Sequence, residues 1–204
     1  MRKTVILANG AFPRKGGEPR RLLESAARIV ACDGAADSLR RHRVRCADFV
    51  VGDLDSVKTR RPEMVRIAEQ DTNDLDKAIG FCRGRQWKDL VIVGASGGRE
   101  DHLLGNVFRA MAAGVEMVTD EGRFIPASRV SSRVAPWRIR LNVYRGCPIS
   151  VFTDERTARM KSSGLKWKLD GVVFDNLYCA TLNRADCEKV EIRSTARFFT
   201  FVGK

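Results

Sequence analysis

Five short stretches of the first half are apolar almost without interruption: Thr4–Ala8, Arg28–Cys32, Asp48–Val51, Asp89–Gly94 and Glu116–Thr119. A strand that is apolar throughout must be covered on both faces, as parallel strands are. Helical spacing fills gaps between these runs. Leu75, Ala78, Ile79 and Cys82 fall on one stripe of Asp74–Arg83, and Leu104, Val107, Phe108 and Met111 on one stripe of Asp101–Ala113. Alternating strand and helix predicts an α/β fold, an open and mostly parallel sheet with flanking helices. From about Arg123 the helical spacing stops. Runs with β character follow at Trp137–Tyr144, Ile149–Phe152, Val172–Phe174, Leu177–Leu182, Lys189–Ile192 and Arg197–Val202, separated by Gly and Asp/Asn turns. The expected organisation is an α/β catalytic domain over 1–124 and a smaller all-β sandwich over 125–204.

In an open α/β sheet, ligands bind outside the carboxyl ends of the strands, so the residue after each strand matters most. The first strand runs into Asn9-Gly10, the second into Asp33-Gly34 and the third into Gly52-Asp53-Leu54-Asp55-Ser56. The Asp89–Gly94 strand runs into Ala95-Ser96-Gly97-Gly98-Arg99-Glu100-Asp101. One Gly beside an Asp or Asn is ordinary turn chemistry; four on one edge of one sheet point to a site.

Asp53 and Asp55 would share a face if that segment is extended, and two carboxylates can clasp a hard cation such as Mg²⁺. The same residues equally suit a solvated turn that caps the next helix. Asp74 opens a helix with Lys77 three residues on, either a metal ligand with a phosphate partner or a surface ion pair. Gly97-Gly98 before a helix suits an anion, because bare backbone N–H groups and the positive helix end favour one. Arg99 could add a charge-assisted contact there and Asp101 could reach a metal. The spacing matches neither a P-loop nor G-x-G-x-x-G.

The net charge of +12 would attract nucleic acid, anionic membrane or phosphorylated small molecules. The basic residues are scattered and form no arm, which argues against a nucleic-acid partner. Six cysteines without a C-x-x-C pair suit reduced thiols better than a zinc site or disulfide frame. No apolar run approaches bilayer-spanning length, so a cytoplasmic protein with no membrane partner is expected.

The motifs Ala31-Cys32-Asp33-Gly34-Ala35-Ala36, Gly52-Asp53-Leu54-Asp55-Ser56, Gln70-Asp71-Thr72-Asn73-Asp74-Leu75-Asp76-Lys77-Ala78, Gly97-Gly98-Arg99-Glu100-Asp101-His102 and Gly164-Leu165-Lys166-Trp167-Lys168-Leu169 come in a recognisable order. In that order the chain resembles the thiamin pyrophosphokinases. The resemblance implies Mg²⁺-dependent transfer of pyrophosphate from ATP to the hydroxyl of thiamin, releasing AMP, by a homodimer of α/β-plus-sandwich chains. It implies that Asp33, Asp53, Asp55, Asp74 and Asp101 surround Mg²⁺ and the triphosphate, with Asn9, Lys77, Gly97, Gly98 and Arg99 holding the nucleotide. It places thiamin on Trp167, with Thr181 and Asn183 as further contacts. Two departures stand out: Glu100 adds a carboxylate where the family often has an apolar residue, and Arg184 puts a positive charge near a cationic substrate.

Two rival readings remain. A haloacid-dehalogenase-type phosphatase would use Asp53 as nucleophile in Asp-x-Asp after an apolar strand, but no later Gly-Asp-x-x-x-Asp follows. A nucleic-acid-binding protein would exploit the basic charge, but aromatic residues interleaved with it are sparse.

Overall fold

The computed structural model describes residues 3–54, 64–67 and 71–204. Two compact units divide the chain between Asp120 and Glu121. The first contains β1 (Thr4–Leu7), α1 (Glu18–Glu24), β2 (Arg28–Cys32), α2 (Ala35–Arg41), β3 (Phe49–Gly52), β4 (Met64–Arg66), α3 (Asp74–Gly84), β5 (Leu90–Val93), α4 (Glu100–Ala113) and β6 (Glu116–Val118). Its strands lie in the order β6-β5-β1-β2-β3-β4, and the neighbours pair in parallel. The five apolar runs are β1, β2, β3, β5 and β6; Val5, Ile6, Ile29, Val30, Val91 and Ile92 are fully buried, as coverage on both faces requires.

The chain lays β2, β3 and β4 to one side of β1 and then returns to lay β5 and β6 on the other. The order reverses at β1, the place where an open α/β sheet forms a crevice at its carboxyl edge. Helix α3 packs on β2 and β3 with Leu75, Ala78, Ile79 and Cys82 buried, as the stripe predicts. Helix α4 differs. Its buried row is Val107, Ala110 and Met111, whereas Leu104 is 61% exposed and Phe108 38%. The inward face is rotated from the predicted stripe, with Ala110 buried in place of Leu104 and Phe108.

The second unit contains β7 (Gly122–Pro126), β8 (Ser128–Arg129), β9 (Trp137–Asn142), β10 (Pro148–Phe152), β11 (Met160–Ser163), β12 (Asn183–Arg184), β13 (Lys189–Ser194) and β14 (Phe199–Gly203). They form two antiparallel sheets, β12-β10-β14-β7 and β11-β13-β9-β8. Ile139, Leu141 and Ile192 of one sheet and Ile149, Val151 and Val202 of the other share a core with Phe198, which is a sandwich.

The runs Val172–Phe174 and Leu177–Leu182 are not strands. Local bonds replace the ladder: the Val172 N–H donates to Leu169 O, the Tyr178 N–H to Asn176 Oδ1, and the Thr181 hydroxyl to Tyr178 O. Asn and Thr side chains that bond nearby backbone compete with strand pairing, and at 176–181 they prevail.

Candidate active site

β1 ends in a glycine for a steric reason. The Gly10 N–H donates to Gly94 O at 2.8 Å and the Ala11 N–H to Ser96 O at 2.8 Å, extending β1 along the loop that follows β5. A β-carbon on Gly10 would lie 2.7 Å from both Gly94 O and Ser96 O, which no real β-carbon tolerates. Gly97 continues that loop with φ +71 and packs on Ala11, while Gly98 lies over the Gly10 α-carbon. The result is a side-chain-free floor where β1 and β5 part. Asn9 stands at its edge, its amide nitrogen 2.9 Å from where a Gly34 β-carbon would be.

At the end of β2, Asp33 is buried at 2% exposure. At the end of β3, a β-carbon on Gly52 would sit 2.9 Å from Asp33 Cβ and 3.1 Å from Asp74 Oδ1. Asp33 and Asp74 therefore converge on the bare α-carbon of Gly52. Asn73 caps α3, its Oδ1 accepting from the Asp76 N–H at 3.0 Å, and fixes Asp74 in the first turn. One turn on, Lys77 is 5% exposed, with Nζ 3.8 Å from Asp74 Oδ1.

Asp53 follows β3 half-buried, and Leu54 takes φ +66. Leu54 is therefore left-handed rather than extended. Asp55 and Ser56 lie outside the described residues. Among the described residues, no three or more His, Cys, Asp or Glu side chains form a group able to hold a metal ion.

At the start of α4, Arg99 donates to Asp101 through Nε at 3.1 Å and Nη2 at 2.6 Å, and the His102 N–H donates to Asp101 Oδ1 at 2.9 Å. The Arg99 hydrogen bonds hold the Asp101 carboxyl below its ordinary range, and that pairing lifts the guanidinium above its own. Both side chains are largely exposed.

Asn9, Gly10, Asp74, Gly98, Arg99 and Asp101 line one cleft of about 410 Å³ at the carboxyl edge. Lys77 and Asp33, both buried, and Gly97, which is exposed, do not line it. Cys32, Asn106 and Arg109 also face it, and none of them stands out as a site residue in the sequence. Arg109 pairs with Asp76, tying α4 to α3, and Asn106 donates to Ala95 O at 3.2 Å. A polar row at His102, Asn106 and Arg109, opposite the apolar stripe, is the signal that could have found two of them. Burial, followed by the charge of Asp74, pushes the Cys32 thiol far above its ordinary value, so it stays protonated.

In the second unit Trp167 is 49% exposed. Asn183 holds its backbone from both sides: Oδ1 accepts from the Trp167 N–H at 3.2 Å and Nδ2 donates to Trp167 O at 2.6 Å. Asn183 is itself buried and committed to this bracket. Lys166 Nζ lies 4.7 Å and Arg184 Cζ 5.6 Å from the indole centroid, so two cations already lie against the ring. Thr181 is half-buried, its hydroxyl spent on Tyr178 O.

Residues 19–118 match the family model for the thiamin pyrophosphokinase catalytic domain. No curated protein sequence matches the chain. Among solved structures, the thiamine pyrophosphokinase from Bacillus subtilis is similar at TM-score 0.73 and 17% identity, over 99% of each chain. That from Geobacillus thermodenitrificans is similar at TM-score 0.74 and 19% identity, over 98% of this chain and 97% of that one. That from Candida albicans is similar at TM-score 0.72 and 15% identity, over 99% of this chain and 89% of that one. At these identities the structural likeness is one of fold.

Proposed function

Through residues 19–118 this chain belongs to the thiamin pyrophosphokinase family, and on that footing we propose that it moves the terminal pyrophosphoryl group of ATP to the hydroxyl of thiamin, giving thiamin diphosphate and AMP. The observation that carries the reading is the convergence of Asp33 and Asp74 on Gly52 beside a cleft with a glycine floor.

The Asp74 carboxylate and the β-carbon of Asp33 border the space that a β-carbon on Gly52 would fill, and a carboxylate at the cleft suits a small hard cation. Mg²⁺ takes one or two carboxylates and leaves the rest of its shell to phosphate and water. In this reading Asp74, with Asp53, Asp55 and Asp101, holds Mg²⁺, which when bound screens the charge of the triphosphate. Asp33, buried, backs Asp74 at Gly52. The bare N–H groups around Gly97-Gly98 and the start of α4 receive phosphate oxygens, with Asn9 at the rim. Arg99 changes partner, from Asp101 to phosphate, when the nucleotide enters. Pairing to Arg99 lowers the basicity of Asp101.

We assign thiamin to Trp167, whose exposed indole can stack on it. Lys166 and Arg184 at the ring favour the neutral pyrimidine over the cationic thiazolium as the stacked half. A homodimer in the cytoplasm completes the proposal; six free cysteines suit a reducing compartment. Among the described residues no helix is long and apolar enough to cross a membrane.

Incubation with Mg-ATP and thiamin tests the reading. AMP and thiamin diphosphate should accumulate in equal amounts; ADP with thiamin monophosphate would overturn it.

A further inference from the structure

Lys77 projects from α3 into the protein rather than into the cleft. It is 5% exposed, is absent from the cleft wall, and has its Nζ 3.8 Å from Asp74 Oδ1. An ammonium so placed cannot touch a phosphate in the cleft directly. It acts instead on Asp74, whose carboxylate closes on Gly52.

A buried ammonium is tolerated when a carboxylate compensates it, and the carboxylate gains equally. A divalent ion approaching Asp74 meets a positive charge already in place, and like charges oppose each other strongly where water is excluded. A polyphosphate arriving with the ion adds negative charge that offsets this.

We propose that Lys77 is a positioning residue whose ammonium supplies part of the metal's charge at Asp74 in the metal-free protein, so that a bare divalent cation binds weakly and enters together with polyphosphate. The proposal rests on reading Asp74 as a metal-binding carboxylate. It removes Lys77 from the set of direct nucleotide contacts and makes it the device that couples metal to nucleotide.

Mn²⁺ serves as probe, its free concentration read by electron paramagnetic resonance, with and without inorganic triphosphate and corrected for Mn²⁺ held by free triphosphate. Lys77→Met should bind Mn²⁺ alone about tenfold or more tightly than the unaltered protein, each factor of ten being about 1.4 kcal/mol. Lys77→Arg should behave like the unaltered protein, and triphosphate should strengthen Mn²⁺ binding far less in Lys77→Met than in either. A folded Lys77→Met protein with unchanged or weaker Mn²⁺ affinity overturns the proposal and leaves Lys77 a packing residue. Should Lys77→Met not fold, the unaltered protein decides: equal Mn²⁺ affinity with and without triphosphate sinks the idea. Asp74→Asn separates the two levels. If it binds Mn²⁺-triphosphate as well as the unaltered protein, the metal reading itself falls; if it loses binding while Lys77→Met changes nothing, only the role given to Lys77 falls.

Discussion

Gly52 lies so close to Asp33 that a β-carbon added to the glycine would sit 2.9 Å from that of the aspartate. Asp33 Cβ is held by the backbone at the end of β2 and cannot swing aside, so Gly52→Ala must shift Asp33 and press on the Asp74 carboxylate. The variant should lose about 10–100-fold in kcat, the scale of a 1 Å misplacement. Overpacking should cost it about 1–3 kcal/mol in stability. Steady-state kinetics beside urea denaturation separates the two effects, and an unchanged kcat would count against a shared acidic site.

Two other glycines should respond in opposite directions. Gly10→Ala drives a methyl into two backbone carbonyls at 2.7 Å, and should destabilise by about 1–3 kcal/mol. Gly80, exposed within α3, would place its methyl in open space. Gly80→Ala should stabilise by about 0.5–1 kcal/mol through helix propensity alone. Urea midpoints measured side by side check the contrast.

Arg99 and Asp101 are paired but exposed, with the Arg99 side chain 72% accessible. Exposed pairs contribute little to stability, so Arg99→Ala should leave the Tm where it is. A guanidinium that leaves Asp101 for phosphate makes a charge-assisted contact. The KM for ATP should therefore rise at least about tenfold. A rise in the KM for thiamin instead would place Arg99 elsewhere in the reaction.

The buried thiols predict a specific alkaline weakness. Burial pushes Cys82 up to about 12 from an ordinary 9.0, and Cys32 still further. Below pH 9 both are protonated whether the chain is folded or not, and their contribution is constant. Above pH 9 the unfolded chain releases these protons while the folded one keeps them, so stability falls as pH rises toward the folded values. The slope should approach about 1.4 kcal/mol per pH unit for each thiol. Urea midpoints between pH 8 and 10.5 should show the decline, shallower in Cys82→Ala.

The parallel sheet was readable because strands covered on both faces leave nearly unbroken apolar runs, and β2 was bounded to the residue. The carboxyl-edge site was readable because every parallel strand delivers its following loop to one side. Other features needed information from elsewhere in the chain. Periodicity cannot say how a helix is rotated on its sheet, so Leu104 and Phe108 read as core while Ala110 fills that place. The seven-residue α1 and α2 are too short to show a period. Arg109 lines the cleft while paired to Asp76 on another helix, a contact no local pattern announces. Leu177–Leu182 has strand-forming residues but bonds to its own side chains first.

The amide of Asn183 fastens both peptide groups flanking residue 167, independently of what that residue carries. The loop then behaves as a fixed socket with an exchangeable plug. Saturating position 167 should sample new substrate preferences without loosening the sandwich, whereas any change at Asn183 would move the socket itself.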